Sequence, residues 1–162
     1  MLIMCFQIEA QSLNSRYRSH IGSNGTTYFF CPKKISPQKG IDRFVYDMTY
    51  LSSTDSVTLN FTFIAKKPDS VRSVILKNGE NQIKANYLST LYRDVLKNGY
   101  EIRTTSKFSF DEIQKVFNDE LPLVFLITLN NGDIITAKYG KSQWKKETKI
   151  IPLILNSITY LQ

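Results

Sequence analysis

The stretch "KYGKSQWKKETK" holds the densest cationic chemistry in the chain. On a helix that begins near Ser142, Lys141, Lys145 and Lys149 fall at i, i+4 and i+8 and form a basic stripe beside Trp144. Ammonium groups in a row can grip phosphates or carboxylates, and an indole among them can stack on a base or a sugar. The competing reading of the same spacing is a solvated helix face whose tryptophan anchors the core. Arg93 and Arg103, on either side of Asn98-Gly99, would add a second basic edge if that segment is a hairpin.

Nucleophilic and acid–base chemistry is harder to assemble. His20 is the single histidine, and it sits in a polar segment that cannot easily hold an imidazole for a Ser-His-Asp or Cys-His arrangement. The adjacent carboxylates Asp111/Glu112 and Asp119/Glu120 diverge by about 100 degrees around a helix axis and so do not face one substrate. A glycosidase-like couple would have to come from distant residues such as Asp47 and Glu101. No GxGxxG, P-loop, HExxH or GxSxG pattern occurs. Cys5 and Cys31 are the two cysteines; neither has metal-ligand spacing, and Cys31, inside "TYFFCPKKI", reads as a buried structural thiol. No catalytic residue, cofactor or metal is implied.

The opening "MLIMCFQIEAQS" bears on compartment. "LIMCF" has the character of the end of an apolar signal core, and small Ala10 precedes Gln11 at a cleavage-like site. The segment resembles the tail of bacterial signal peptides that end in Ala-Gln. That resemblance implies export to the periplasm or beyond, with residues 1–11 a truncated remnant. Lipidation of Cys5 is disfavoured because Met4 stands where such signals carry a small residue. The remaining alternatives are an ordinary first strand over residues 2–8 and a cytoplasmic protein.

Lys and Arg outnumber Asp and Glu by 21 to 14, a formal charge of +7, which favours anionic partners. No apolar run reaches the roughly 18 to 20 residues of a spanning helix. Sequons at Asn24 and Asn60 matter only in a host that glycosylates exported proteins.

The elements that must position these groups are mostly strands. Residues 12–42 read as a loop-rich lead-in with one short strand near Tyr28–Cys31, and residues 43–162 as one domain. Phe44, Tyr46, Met48 and Tyr50 share one face, as do Val57, Leu59, Phe61, Phe63 and Ala65, the period-2 pattern of half-buried strands. Four glycines follow an asparagine, at Asn24, Asn78, Asn98 and Asn131, and each pair suits a type I′ hairpin tip. "LVFLITL" is apolar almost throughout and belongs in a sheet centre. Residues 86–98 fit either a hairpin strand entered through a helical turn or a short helix capped by Gly99, with the hairpin favoured. Ser109 and Glu112 make a capping box for a helix over Phe110 to Asn118, with Phe108 and Ile113 as its hydrophobic staple. A last helix from about Ser142 carries Trp144, Ile151, Leu155 and Ile158 on one stripe and is kinked by Pro152.

The expected fold is therefore α+β: an antiparallel meander of hairpins with two helices, near 110–118 and 142–160, packed on one face. The leading functional expectation is a small exported bacterial domain that binds or scaffolds without catalysis. Its partner would be an anionic macromolecule, an envelope component or another protein. Two alternatives stand beside it: an intracellular nucleic-acid-binding module using the Lys/Trp stripe, and an envelope hydrolase with an unrecognised carboxylate site.

Overall fold

A computed structural model describes residues 16–35, 43–67 and 69–160. Cys5, the signal-like opening and the alternative strand over 2–8 lie outside the described residues. In chain order the elements are β1 (Tyr17–Gly22), β2 (Gly25–Ile35), β3 (Phe44–Leu51), β4 (Ser56–Ala65), β5 (Val71–Asn78), β6 (Asn81–Lys84), β7 (Tyr87–Leu96) and β8 (Gly99–Ser109). They are followed by α1 (Phe110–Phe117), β9 (Val124–Leu129), β10 (Ile134–Lys138), α2 (Lys141–Glu147) and α3 (Ile151–Tyr160).

The architecture is α+β, and every strand pairing is antiparallel. The strands divide between two sheets, a six-stranded one in the order β1-β2-β3-β4-β8-β7 and a four-stranded one in the order β10-β9-β5-β6. Local hairpins account for most neighbours. The division arises from two long-range pairings: β8 returns to β4, with Phe61 opposite Thr104, and β9 returns to β5, with Leu76 opposite Phe125. β9 is central in the smaller sheet, as its apolar sequence requires.

Alternating burial places Phe44, Tyr46, Met48 and Tyr50 of β3 on the inner face, with Val57, Leu59, Phe61 and Phe63 of β4 beside them. The Phe125 ring of β9 meets Phe44 at 5.0 Å and Tyr46 at 4.9 Å between centroids, joining the sheets face to face. Helices cover the rest of that inner face, and Phe110 of α1 stacks on Tyr50 at 4.3 Å. α1 begins with the full capping box: the Ser109 hydroxyl accepts from the Glu112 N–H at 3.3 Å, and the Glu112 carboxylate accepts from the Ser109 N–H at 3.4 Å. Phe108 and Ile113 are both buried.

Three local features differ from the sequence reading. Residues 17–35 are not loop-rich; they pair as the β1–β2 hairpin at one sheet edge, with Tyr28 and Phe30 pointing into the core. No helical turn precedes β7, because Tyr87 already pairs with Lys107, and Leu91 and Val95 are exposed on a strand rather than packed along a helix face. All four Asn-Gly pairs lie at or beside hairpin tips, yet none forms a type I′ turn: among the described residues only glycines have positive φ, and type I′ needs it at both central positions. The last helix is bent ahead of Pro152, as expected, its two segments separated by residues 148–150. Pro152 has no N–H for the Thr148 carbonyl, so α2 ends with the Thr148 N–H on Trp144 O at 2.8 Å and α3 restarts with Ile154 N–H on Ile150 O at 3.1 Å. The stripe of Trp144, Ile151, Leu155 and Ile158 is buried throughout.

Candidate functional site

α2 and the turn after it bring Lys141, Lys145 and Lys149 to one open groove of about 550 Å³, shared with Glu120, Leu121, Pro122 and Thr148. All three lysines are exposed. Among the described residues no carboxylate oxygen lies within ion-pair distance of any of them. Leu121, 55% exposed, supplies an apolar wall. Three ammonium groups beside an apolar rim suit a ligand that is anionic on one side and carbon-rich on the other.

Trp144 does not belong to that groove surface. Its ring is 1% exposed, packed against Tyr139 at 5.1 Å and Phe117 at 6.1 Å, and its indole N–H donates to the Asp119 carbonyl at 3.2 Å. The tryptophan anchors the helix to the core and offers no stacking face, which corrects its place among the candidate ligand contacts.

Nor do the two arginines form a shared basic edge. Arg93 pairs with the inward-facing position Ile102 and hydrogen-bonds Ser70 Oγ at 3.0 Å. Arg103, the next residue along β8, therefore points to the opposite, outer face. There it bonds Asp47 Oδ2 at 2.6 Å and Thr62 Oγ1 at 3.1 Å.

That outer face of the six-stranded sheet also holds the distant carboxylates. Asp47 accepts from Asn60 Nδ2 at 2.8 Å, which occupies the amide of the mid-strand sequon, whereas Asn24 is exposed at the β1–β2 tip. Glu101 accepts from the Tyr92 hydroxyl at 3.0 Å and pairs with Arg43 at 3.3 Å. Asp47 lies in register with Asn60 and Thr105. Glu101 is four residues further along β8, on the order of 13 Å away at about 3.3 Å per residue, too far for a glycosidase couple at roughly 5 to 9.5 Å. One carboxylate of each adjacent pair is likewise occupied. Glu112 serves the cap, and Asp119 accepts from the Leu121 N–H at 3.0 Å and Asn81 Nδ2 at 3.3 Å.

One cluster escaped the sequence reading. Glu147, 6% exposed at the end of α2, pairs through Oε1 with Arg16 at 2.7 Å, and its Oε2 lies 3.6 Å from Lys33 Nζ, beyond hydrogen-bond reach. Cys31, half-buried, and the buried Tyr46 line the same cavity. Tyr46 and Tyr139 share a hydrogen bond of 2.7 Å between hydroxyls. Burial lowers the Lys33 pKa, against the opposing pull of Glu147. Burial raises both phenols, Tyr46 further through Tyr139 beside it. Perturbed groups around a cavity can mark an active site. This cavity is about 10 Å³, room for roughly one water and no substrate, so the cluster ties the β1–β2 hairpin to α2. A signal for it exists in the sequence: Glu147 lies three residues after Trp144, on the buried stripe of the helix rather than in the charge run it resembles.

His20 is exposed on β1 opposite Thr27. Among the described residues no group of three or more His, Cys, Asp or Glu side chains could hold a metal ion, and no helix is long and apolar enough to cross a membrane. No protein-family model, curated protein or solved structure matches the chain.

Proposed function

We propose that the chain is a non-catalytic binding domain, exported by a bacterial cell, that holds an anionic group of an envelope component in the groove of Lys141, Lys145 and Lys149. The observation that carries this reading is the convergence of three exposed lysines on one groove, with no carboxylate at ion-pair distance among the described residues. The export half of the proposal rests on the signal-like "LIMCFQIEAQS". Burial of Trp144 removes the aromatic platform that a single-strand nucleic-acid module would use, leaving only sequence-independent phosphate contacts there.

The test is titration of the whole chain with a sulfated polysaccharide and, separately, a single-stranded oligonucleotide over a range of salt. The polysaccharide is expected to bind with an affinity that falls as salt rises. Replacing Lys141, Lys145 and Lys149 together by Gln should weaken it at least roughly tenfold and flatten the salt dependence. Unchanged binding by the triple variant would overturn the groove assignment. Tighter binding of the oligonucleotide would instead favour the nucleic-acid module. An intact Met1 in the natively produced protein would overturn export.

A further inference from the structure

Among the described residues, β7 is the longest strand on any free sheet edge, at ten residues against six for β1, five for β10 and four for β6. It also carries Tyr87, Leu91, Tyr92, Val95 and Leu96, five of the ten large apolar side chains exposed among the described residues. An edge strand presents unpaired N–H and C=O groups, and proteins usually blunt such edges with lysine, proline or short length. β7 has neither lysine nor proline.

The pairing with β8 determines which way each residue points. Tyr87, Ser89, Tyr92, Asp94 and Leu96 lie on the outer face, opposite Lys107, Thr105, Arg103, Glu101 and Gly99. Leu88, Thr90, Arg93 and Val95 lie on the inner face, and Leu91 is the extra residue of a β-bulge. Two copies related by a two-fold axis perpendicular to the sheet can pair only if facing residues share a face.

With the axis at Tyr92 this condition holds along the whole strand. Tyr92 meets its own counterpart, Thr90 meets Arg93, Ser89 meets Asp94, Leu88 meets Val95 and Tyr87 meets Leu96. Apolar groups face apolar groups, and each charge faces a hydroxyl. Moving the axis to Arg93 or to Asp94 sets like charges directly against each other, a destabilising arrangement. We propose that β7 pairs antiparallel with β7 of a second copy in this one register, so that the two six-stranded sheets continue as one.

Sedimentation equilibrium of the full chain over a wide concentration range tests the association. A dimer is expected. Val95→Lys, at a position 79% exposed in the single chain, should leave the circular dichroism unchanged and weaken the dimer roughly tenfold or more. Cross-linking tests the register, in a background with Cys5 and Cys31 replaced by Ser. Tyr92→Cys should form a disulfide-linked dimer on mild oxidation. Leu96→Cys alone should not, and Tyr87→Cys combined with Leu96→Cys should. A wild-type chain that stays monomeric, a dimer indifferent to Val95→Lys, or Leu96→Cys cross-linking as readily as Tyr92→Cys would each overturn the proposal.

Discussion

Tyr46 and Tyr139 share one hydrogen bond across the join between β3 and the segment after β10, and both are 1% exposed. Burial raises both phenol pKa values above the ordinary 10.0. In the unfolded chain they ionise near that ordinary value, whereas the folded chain keeps their protons. Their contribution to stability is thus complete below pH 10 and is lost as pH rises above it, at about 1.4 kcal/mol per pH unit for each phenol. Lys33 acts in the opposite sense, because its lowered pKa adds stability as pH rises towards 10.5. With two phenols against one modest shift, the expected net result is alkaline unfolding. Urea titrations at stepped pH, followed with phenolate absorbance, check this. Stability that holds level as pH rises above 10 would contradict it. The same residues show the limit of sequence at this scale. Strand alternation marks Tyr46 as buried, but nothing in the chain says that Tyr139, ninety-three residues later, completes its hydrogen bond.

Among the elements, α1 was fully legible because its determinants are local. Ser109, Glu112 and the apolar spacing between them define both the start and the buried face of the helix. Ser109→Ala removes the acceptor for the Glu112 N–H and one partner of the Glu112 carboxylate. It should cost about 1 kcal/mol, within the usual range of about 0.5 to 2 kcal/mol for a lost N-cap. Chemical denaturation of the variant checks it, with an unchanged slope expected because the folded state stays equally compact. A loss near zero would mean that burial of Phe110, Ile113, Val116 and Phe117 alone holds the helix. The lysine row was legible in the same local way, since i, i+4 spacing survives to Lys149 even though the helix ends at Glu147. The side taken by Trp144 was not, because an aromatic beside a basic row satisfies both a stacking surface and a core anchor. Asn24-Gly25 marked the first turn and Tyr28–Cys31 part of β2, but β1 was missed for a related reason: its exposed residues Arg18, Ser19 and His20 are as polar as a loop, and the buried alternation appears only in β2.

For the whole molecule, local signals identify hairpins but not how they are shared between sheets. The pairings of β4 with β8 and of β5 with β9 join residues at least 35 apart in the chain, so their choice depends on which faces can be covered together. Phe125 is the residue through which that choice acts, since its ring contacts Phe44 and Tyr46 across the sheets. Phe125→Ala should therefore cost roughly 3 to 5 kcal/mol. Trp144, the single tryptophan, is buried against Phe117 of α1 and Tyr139 after β10, and so reports on the smaller sheet and its helices. Far-ultraviolet circular dichroism samples all the elements together, including the six-stranded sheet that holds most of the strand residues. If the shared interior makes one cooperative unit, tryptophan fluorescence and circular dichroism should give coincident urea transitions in the wild type. In Phe125→Ala the transitions should shift together to lower urea, because the aromatic contact that couples the sheets also stabilises both. Separate midpoints in the wild type would mean that each sheet folds on its own helices, and that the joint between them is an interface rather than a core.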